Sequence, residues 1–394
     1  MSLSVSSRMA RVKPSPTGAV LALAARLRAD GRDILSLGAG EPDFDTPQHI
    51  KDAAAAAMAR GETKYTPIDG TAVLKSAIQR KFHAENGLDY TPAQILVSAG
   101  GKQSLFNLCL ALLDAGDEAI VPSPYWVSYP DMVRVAGATP VIVDTGIDTE
   151  FKMSPERLAA AITPRTRLVF LNSPCNPTGV CYSAAELGAI GDVLAAHPDI
   201  VIASDEMYEH IYWAAEPFAS FAKVCPALFD RTVTCNGVSK AYAMTGWRIG
   251  YAGGPEWLIR AMGTIQSQST SNPCSISQAA AVAALEGPQD CVRDMCDAYR
   301  DRHDYLLGAL NGLPGFRCLP GDGAFYLFPH VQAAAESLGL EDDTALTSHL
   351  LNRANVACVP GSAFGAPGYL RVSYACSIAT LEEAVRRIGR ALSG

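Results

Sequence analysis

The sequence lacks the features that mark membrane, secreted and nucleic-acid-binding proteins. It contains no run of about 18 apolar residues, so we expect no membrane-spanning helix. Its first residues have no apolar core of the kind that signal peptides carry, and we expect a cytoplasmic location. The formal net charge is −8, which argues against a nucleic-acid partner.

Patterns for metal ions, disulfides and dinucleotides are also missing. The 11 cysteines include no CxxC pair and the 7 histidines no HExxH spacing, so we predict reduced thiols and no metal site. Gly38 and Gly40 form a GxG, but no third glycine follows at the right place. Pro42 and Pro47 also prevent the immediate helix that a dinucleotide-binding loop needs.

What the sequence does contain is a single lysine among small and apolar residues, in residues 234–251. Lysine normally favours solvent, but beside small residues and near Arg248 the side chain of Lys240 would lose part of its preference for the charged form. A neutral amine can form a Schiff base with an aldehyde. The Arg248 guanidinium would bind a phosphate in fork geometry. A lysine with a nearby phosphate anchor is what a pyridoxal phosphate enzyme needs, although for Lys240 taken alone a solvated loop lysine is the commoner interpretation.

Strands and helices alternate through the middle of the chain. This order predicts βαβ units, a mainly parallel sheet, and ligands at the carboxyl ends of the strands. The predicted strands are Ile95–Val97, Ala119–Val121, Val141–Val143, Leu168–Leu171 and Ile200–Ala203, and the helices between them include Lys102–Leu113, Trp126–Ala136 and Ala184–Ala196. Further helices are predicted at 18–30, 48–60, 255–269 and 277–312, and a smaller C-terminal unit has strands at Ala324–Phe328 and Tyr369–Tyr374 and helices at 344–354 and 380–392.

Polar residues follow these predicted strands. Gly101 and Lys102 open a helix, where backbone N–H groups and the helix dipole favour an anion. Two prolines and a glycine make a rigid turn that fixes the Asn176 amide as a donor. Asp205 ends a buried strand, where a carboxylate needs a partner, and a protonated pyridine nitrogen would be one. Glu206 is the alternative, because either acid could face the ring.

Three of these stretches together resemble a known family. The run SKAYAMTGWRIGY at 239–251, the NPTG at 176–179 and the GAGEPDF at 38–44 match motifs of class I aminotransferases, in the fold-type I family of pyridoxal phosphate enzymes. The resemblance covers nearly the whole chain and is closest to the bacterial aspartate aminotransferase subgroup. It implies an α/β fold: a three-layer αβα large domain with a mainly parallel sheet, at 47–290, and a smaller α+β domain at 291–394. Residues 1–46 would form an N-terminal arm and part of the small domain.

The resemblance also implies roles for individual residues. Lys240 would be the catalytic lysine that binds the cofactor. The cofactor would be held by Gly101, Lys102, Trp126, Asn176, Asp205, Tyr208, Ser239 and Arg248, and by Tyr65 reaching across a homodimer to the phosphate of the other subunit. The substrate would meet Gly40, Trp126, Asn176, Lys13 and Arg371, of which Arg371 would bind the α-carboxylate. One departure is Gly237, where many relatives carry a phosphate-binding serine, and Ser239 is expected to share that role.

The implied activity is transfer of an amino group between an L-amino acid and a 2-oxo acid, with aspartate and 2-oxoglutarate as the expected pair. Lys13, Ser15 and Thr17 on the N-terminal arm are the candidates for a second substrate carboxylate, and a lysine matching Lys13 is associated in some relatives with prephenate. The alternative is that Lys13 is solvated and the pocket accepts apolar or aromatic side chains. A lyase or synthase on the same fold, or a non-catalytic regulator, are the rival functions; the regulator would need a DNA-binding segment that the sequence before the fold does not show.

Overall fold

The computed structural model describes residues 4–14 and 16–393, and within them the chain forms helices α1–α14 and strands β1–β12. The helices are α1 Pro16–Ala29, α2 Gln48–Ala59, α3 Ala72–Lys81, α4 Gly101–Leu112, α5 Tyr129–Ala136, α6 Pro155–Ala161, α7 Ala184–Ala195, α8 Phe221–Val224, α9 Glu256–Ser267, α10 Ser275–Glu286, α11 Asp290–Asn311, α12 Gln332–Ser337, α13 Asp343–His349 and α14 Ile378–Leu392. The strands are β1 Leu35–Ser36, β2 Ile95–Ser98, β3 Glu118–Ser123, β4 Thr139–Asp144, β5 Thr166–Asn172, β6 Val201–Asp205, β7 Thr232–Gly237, β8 Gly250–Gly253, β9 Tyr326–Leu327, β10 Val356–Ala357, β11 Val359–Pro360 and β12 Leu370–Ser373. Among the described helices, none has the length and apolar character to cross a membrane.

Seven strands form one central sheet, in the order β2-β8-β7-β6-β5-β3-β4. All run in the same direction except β8, which is antiparallel to both of its neighbours. Side chains alternate between two packed faces, so that Leu168 and Phe170 join one apolar cluster while Val169 and Leu171 join another. Burial on both faces explains why these strands read as apolar runs. The predicted α/β class with a mainly parallel sheet is confirmed.

The register of the central strands brings functional side chains together. Asn172 of β5 is aligned with Asp205 of β6, and Asp205 with Cys235 of β7. The carboxyl ends of three neighbouring strands therefore meet at one edge of the sheet. Lys240 follows three residues after β7 ends at Gly237, which puts it at the same edge.

A second, smaller group of strands packs beside the large sheet. Strands β11, β12 and β9 form an antiparallel sheet, and β1 pairs in parallel with β10. Their apolar side chains share a core with α11, α13 and α14. Helix α14 begins at a Ser377 cap that accepts a hydrogen bond from the Thr380 amide. This arrangement carries Arg371, in the middle of β12, up to the edge of the large sheet.

Three helix boundaries differ from the prediction. The predicted helix at 277–312 is two helices, α10 and α11, because Gly287 and Pro288 interrupt the hydrogen-bond ladder. The helix predicted from Trp126 begins at Tyr129, with Pro130 in its first turn, where a missing N–H costs nothing. Likewise α1 begins at Pro16, within the segment predicted as an arm, and a short 3₁₀ helix, Ser7–Arg11, precedes it.

Candidate active site

A cavity of about 380 Å³ lies at the carboxyl ends of the central strands. Its walls come from both sheets, from the turn after β7 and from the first turn of α1. The structure brings most of the predicted site residues to this cavity: Gly40, Gly101, Lys102, Trp126, Asn176, Asp205, Tyr208, Ser239, Lys240, Arg248 and Arg371. Tyr65 and Lys13 are not among its lining residues.

Lys240 lines the cavity, on a turn held by backbone hydrogen bonds. Its Nζ donates to the carbonyl oxygen of Gly40, 200 positions away in the sequence. The same Nζ lies 6.0 Å from the ring centroid of Tyr208 and 5.8 Å from that of Phe325. The amine is thus half-buried among aromatic rings and faces the cavity.

The surroundings of Lys240 weaken its charged form. Burial is the main cause, and it lowers the pKa of Lys240 from 10.5 to about 8. The guanidinium groups of Arg371 and Arg248 act in the same direction, while the carboxylates of Glu41 and Asp205 oppose them. The neutral form, which a nucleophile or proton acceptor requires, is therefore far more populated near neutral pH than it is for an ordinary lysine.

One end of the cavity is built to hold an anion. Gly100 adopts φ +88 just before α4, and a Cβ there would collide with the Arg248 guanidinium. Arg248 is fixed by donating from Nη1 to the Thr245 carbonyl at 2.9 Å and from Nη2 to the Ala99 carbonyl at 3.2 Å. The Gln103 amide donates to the Gly100 carbonyl at 2.9 Å, and the amides of Gly101 and Lys102 before it belong to the first turn of α4, where backbone N–H groups have no partner within the helix.

Glycine at 250 and at 237 also has a steric reason. Gly250 in β8 lies so close to the turn before α4 that a Cβ would collide with the backbone of Gly100 and Gly101. A Cβ at Gly237 would lie 2.9 Å from Gly250 Cα and 3.2 Å from Met207 Cε. A side chain at 237 would therefore require the backbone at Gly250 and Ile249 to shift. Ser239 is buried and lines the cavity.

Asp205 ends β6 and lies at the floor of the cavity. The Tyr129 hydroxyl donates to its Oδ2 at 2.6 Å, and the Met207 amide donates to its Oδ1 at 3.3 Å. Burial raises the pKa of Asp205, and these two donors act against that rise. Of the two neighbouring acids, Asp205 lines the cavity, whereas Glu206 accepts from Ser204, Ser220 and the Phe221 amide.

Trp126 and Lys102 form one wall of the cavity. The ring of Trp126 meets that of Tyr129 edge-on, with centroids 5.4 Å apart. Lys102 Nζ lies 5.0 Å from the centroid of Trp126. Burial and the neighbouring Arg248 lower the pKa of Lys102, so an anion placed here would stabilise its charge.

Arg371 lies on the opposite side of the cavity and is fully buried. Its guanidinium is packed between the rings of Tyr326 and Phe364, at 4.4 Å and 4.9 Å from their centroids. Nη1 donates to Asn176 Oδ1 at 3.0 Å, and Nη2 donates to the Gly38 carbonyl at 2.8 Å. Nε has no hydrogen-bond partner within the described part of the chain. A buried cation with an unused donor is a site for a carboxylate.

Two tyrosine hydroxyls meet beside Arg371. Tyr208 Oη and Tyr326 Oη are 3.0 Å apart, and burial raises the pKa of both phenols. Because both hydroxyls keep their protons, each can donate one hydrogen bond and accept others. A Cβ on Gly40 would lie 3.4 Å from Tyr326 Oη, so the glycine backbone packs closely against this group.

The remaining predicted residues lie outside the cavity or at its rim. Lys13 is exposed and lines a neighbouring hollow of about 440 Å³, which shares Lys102 and Arg248 with the cavity. Thr17 lines the cavity itself, and Ser15 lies outside the described residues. Tyr65 is 92% exposed and does not approach the cavity of its own chain.

Sequence reasoning missed three groups. Tyr129 and Tyr326 reach the site through hydrogen bonds to residues far away in the sequence, Asp205 and Tyr208. The sequence feature that could have pointed to Tyr129 was its position three residues after Trp126. The third is the Lys102 side chain, because the prediction used only its backbone amide. The first turn of a helix after two glycines places that side chain beside the cavity, and this spacing was visible in the sequence.

The residues fit pyridoxal phosphate. A phosphate needs amide donors and a cation. The start of α4, after Gly100, supplies the amides, and the Arg248 guanidinium beside Gly100 is the cation. A pyridinium nitrogen needs a buried carboxylate, and Asp205 is one. An aldehyde needs a neutral amine, and the lowered pKa of Lys240 provides it.

Comparison with known proteins agrees with this site. Residues 32–388 match the family described as aminotransferase class I and II. An aspartate/prephenate aminotransferase of Nitrosomonas europaea is 56% identical over 99% of this chain and 100% of its own length. An aspartate aminotransferase of Geobacillus stearothermophilus is 50% identical over 98% of both chains.

Solved structures show the same fold. The aspartate aminotransferase of Rhizobium meliloti superposes with a TM-score of 0.95 at 47% identity, covering 100% of this chain and 99% of that one. The aspartate aminotransferase of Thermus thermophilus with maleate has a TM-score of 0.93 at 45% identity, covering 99% and 100%. The chain therefore belongs to the class I and II aminotransferases, fold-type I enzymes whose cofactor is pyridoxal phosphate.

Proposed function

We propose that this aminotransferase exchanges an amino group between L-aspartate and 2-oxoglutarate. The observation that carries the proposal is the position of Lys240. Its amine, with a lowered pKa, lies in one cavity with the buried Asp205 carboxylate and with guanidinium groups at both ends, those of Arg248 and Arg371. That arrangement suits a cofactor phosphate at one end and a substrate carboxylate at the other.

The cofactor would be held at four points. The amides of Gly101 and Lys102, the Ser239 hydroxyl and the Arg248 guanidinium would bind its phosphate. Trp126 would stack on the ring, and Asp205 would hold a proton at the ring nitrogen. Asn176 and Tyr208 would donate to the phenolic oxygen. When bound, the cofactor supplies an aldehyde that condenses with amines and a ring that takes up electrons from the substrate α-carbon.

The protein's own part in the reaction is binding and proton transfer. Lys240 would bind the cofactor aldehyde, and with substrate present its free Nζ would take the proton from the substrate α-carbon and later give it up again. Burial raises the pKa of Asp205, and the hydrogen bonds that Tyr129 and the Met207 amide donate to it oppose that rise and favour its ionised form. The buried rings around Lys240 keep the proton transfer away from bulk water.

Arg371 would bind the α-carboxylate of every substrate. Its fork is already oriented by Asn176 and Gly38, and it is held between two rings, so little freedom remains to be lost on binding. The Asn176 amide accepts from Arg371 through its oxygen, which leaves the NH₂ end as a donor. Gly40 contributes backbone close to the same place.

An acidic side chain needs a second cation, and two lysines are candidates. Lys102 borders the cavity beside Trp126, and Lys13 lies in the adjoining hollow. Thr17 adds a hydroxyl that is buried without a partner among the described residues. Relatives named aspartate aminotransferase, and the Thermus thermophilus structure with maleate, a dicarboxylate, support this assignment.

The test is a panel of amino acids mixed singly with the purified holoenzyme, followed by cofactor absorbance and then by addition of oxo acids. We expect aspartate and glutamate to react fastest, and Lys102→Ala and Lys13→Ala to slow these two far more than alanine or phenylalanine. Lys223→Ala, outside the cavity, is the control. A wild type that prefers apolar amino acids, or conversion of cofactor without transfer to an oxo acid, would contradict the proposal.

A second candidate substrate is prephenate. Lys13 lines the hollow next to the cavity together with Phe106, Val127 and Met132, a combination that suits an apolar ring carrying a carboxylate. The Nitrosomonas europaea relative is named for both aspartate and prephenate. Prephenate-dependent consumption of glutamate or aspartate, lost in Lys13→Ala, is the expected result.

We further propose a cytoplasmic homodimer with shared active sites. Tyr65 is exposed in a single chain, and the phosphate end of the cavity, with Lys102 and Arg248, is open as well. A tyrosine from the other subunit would cover that end. The proposed domains are 47–290 for the cofactor and 291–394 for the smaller unit, with 1–46 divided between an arm and the small domain.

A further inference from the structure

Two distant segments run side by side next to the catalytic lysine. We call residues 38–47 the crossing segment and residues 240–248 the lysine turn. Lys240 Nζ donates to the Gly40 carbonyl, and Thr245 Oγ1 donates to Glu41 Oε2 at 2.9 Å. The remaining side-chain contact between them is made by one hydroxyl group, that of Thr46.

Thr46 makes two hydrogen bonds with this single hydroxyl. Its Oγ1 donates to the carbonyl of Ala243 at 2.6 Å and accepts from the indole Nε1–H of Trp247 at 2.9 Å. Ala243 and Trp247 lie near the two ends of the part of the lysine turn that follows Lys240. The Thr46 hydroxyl therefore connects two points of the lysine turn, although it lies 197 positions away in sequence from Ala243.

The lysine turn has a backbone that needs outside support. Ala243 has φ +49 and Arg248 has φ +58, both in the left-handed region, although neither is glycine. A non-glycine residue in this region is strained, and the conformation persists only when its surroundings determine it. Thr46 bonds the carbonyl of the first of these residues and the side chain immediately before the second.

The crossing segment is itself fixed to the smaller unit. Asp43 pairs with Arg302 of α11 at 2.7 Å, and the Phe44 ring meets that of Tyr299 edge-on at 5.5 Å. Arg371 donates to the carbonyl of Gly38 at the other end of the segment. Thr46 is thus attached to a rigid base and can transmit that rigidity to the turn.

We propose that Thr46 is a positioning residue for the reaction, whose hydroxyl holds the lysine turn in the shape that sets the Lys240 amine at a fixed distance from the Arg248 guanidinium. This inference rests on the proposed roles of those two residues. They would bind two groups of one cofactor, its aldehyde and its phosphate, so their separation must match the spacing of those two groups. A lysine turn that relaxes would let one group bind while the other is misplaced.

The experiment compares holoenzymes of Thr46→Val, Thr46→Ser and Trp247→Phe with the wild type. Thr46→Val keeps the shape and removes the hydroxyl, and we expect kcat to fall about 10-fold with little change in KM. Cofactor loss on dialysis should become several-fold faster. Thr46→Ser keeps the hydroxyl and should restore kcat to within about 2-fold of the wild type. Thr264→Val, on α9 away from the site, is the control.

A double-mutant cycle tests whether the hydroxyl and the indole act as one unit. Thr46→Val with Trp247→Phe should be no worse than Thr46→Val alone, since the shared contact is already lost. In the apoenzyme, the midpoint for alkylation of the Lys240 amine should move upward in Thr46→Val as the turn opens. Melting temperatures measured alongside separate this effect from general destabilisation.

Two results would overturn the inference. One is a Thr46→Val enzyme with unchanged kcat, cofactor retention and alkylation midpoint. The other is a Thr46→Ser enzyme as impaired as Thr46→Val, because the methyl group and not the hydroxyl would then matter. If Thr46→Val does not fold, Trp247→Phe, which removes one N–H donor from the pair, must still lower kcat. Lys240→Ala, run beside these, tests the role of the lysine separately.

Discussion

Two ionisable groups in the cavity, Lys240 and Asp205, would take part in the proton transfers. Burial lowers the pKa of Lys240 and raises the pKa of Asp205, so it disfavours the charged form of both groups. The reaction requires a neutral amine and an ionised carboxylate, and the hydrogen bond from the Tyr129 hydroxyl opposes the effect of burial on Asp205.

The lowered pKa of Lys240 should be measurable in the apoenzyme. At pH 7 a pKa of about 8 leaves about a tenth of the amine neutral, whereas a pKa of 10.5 leaves less than a thousandth. Reductive alkylation, followed residue by residue by mass spectrometry, should therefore modify Lys240 first, with a midpoint near pH 8. The folded protein penalises the charged amine fully below pH 8, so apoenzyme stability should rise between about pH 8 and 10.5. A Lys240 that reacts like surface lysines would contradict this account.

Replacing Tyr129 by Phe should make Asp205 harder to ionise. The change removes one O–H donor from a buried carboxylate, an interaction of about 1.5–3 kcal/mol, and so raises the pKa of Asp205 further. The acid limb of the kcat/KM profile should move upward by about one to two pH units, with weaker cofactor retention. Tyr90→Phe, which breaks a buried bond to Thr234 elsewhere, is the control. An acid limb that does not move would show that Tyr129 does not act on Asp205.

At the scale of elements, the shape of the anion site depends on the packing of strand β8 against the turn before α4. β8 runs antiparallel to both neighbours, and its Gly250 lets the Gly100–Gly101 backbone approach closely enough to face Arg248. No single element contains the site; each supplies one side of it.

Gly250→Ala should therefore damage the anion site and leave the fold intact. The new methyl group collides with the backbone of Gly100 and Gly101, so we expect cofactor affinity to fall at least about 10-fold while most of the sheet stays intact. Gly246→Ala is the matched control, because a Cβ at Gly246 meets nothing within 4 Å. The comparison is made by cofactor titration and circular dichroism. Equal affinities in the two variants would argue against the close-approach explanation.

At the scale of the whole molecule, the cavity lies where the large sheet meets the smaller unit. Arg371 comes from β12, and it bonds Asn176, which follows β5 of the large sheet, 195 positions earlier. Any movement between the two units would change the distance between the substrate carboxylate site and Lys240. The proposed dimer adds the partner's Tyr65 at the opposite, phosphate end.

Hybrid dimers should reveal shared sites. Tyr65→Ala and Lys240→Ala are each expected to be nearly inactive, for different reasons. In an equal mixture that has exchanged subunits, half of the dimers are hybrids with one complete site each, so about a quarter of the wild-type activity should return. Subunit exchange is checked with differently tagged chains. No recovery in a mixture with proven exchange would place Tyr65 outside the partner's site.

The sequence by itself determined the family, the fold class, and the residues that cluster at strand ends. These follow from local information. Short apolar runs predict the strands, and motifs such as the one around Lys240 predict which residues lie in the turns that follow them. The choice of aspartate, the dimer and the domain boundaries stay predictions.

Only the tertiary structure decided the partners of those residues. The bond from Tyr129 to Asp205, the pairing of Tyr208 with Tyr326, and the bonds of Thr46 with Ala243 and Trp247 all join segments far apart in the chain. Such contacts depend on strand register and on close packing between elements, which no local pattern encodes. The packing that buries Lys240 likewise arises only when both units come together, and that burial is the main cause of its lowered pKa.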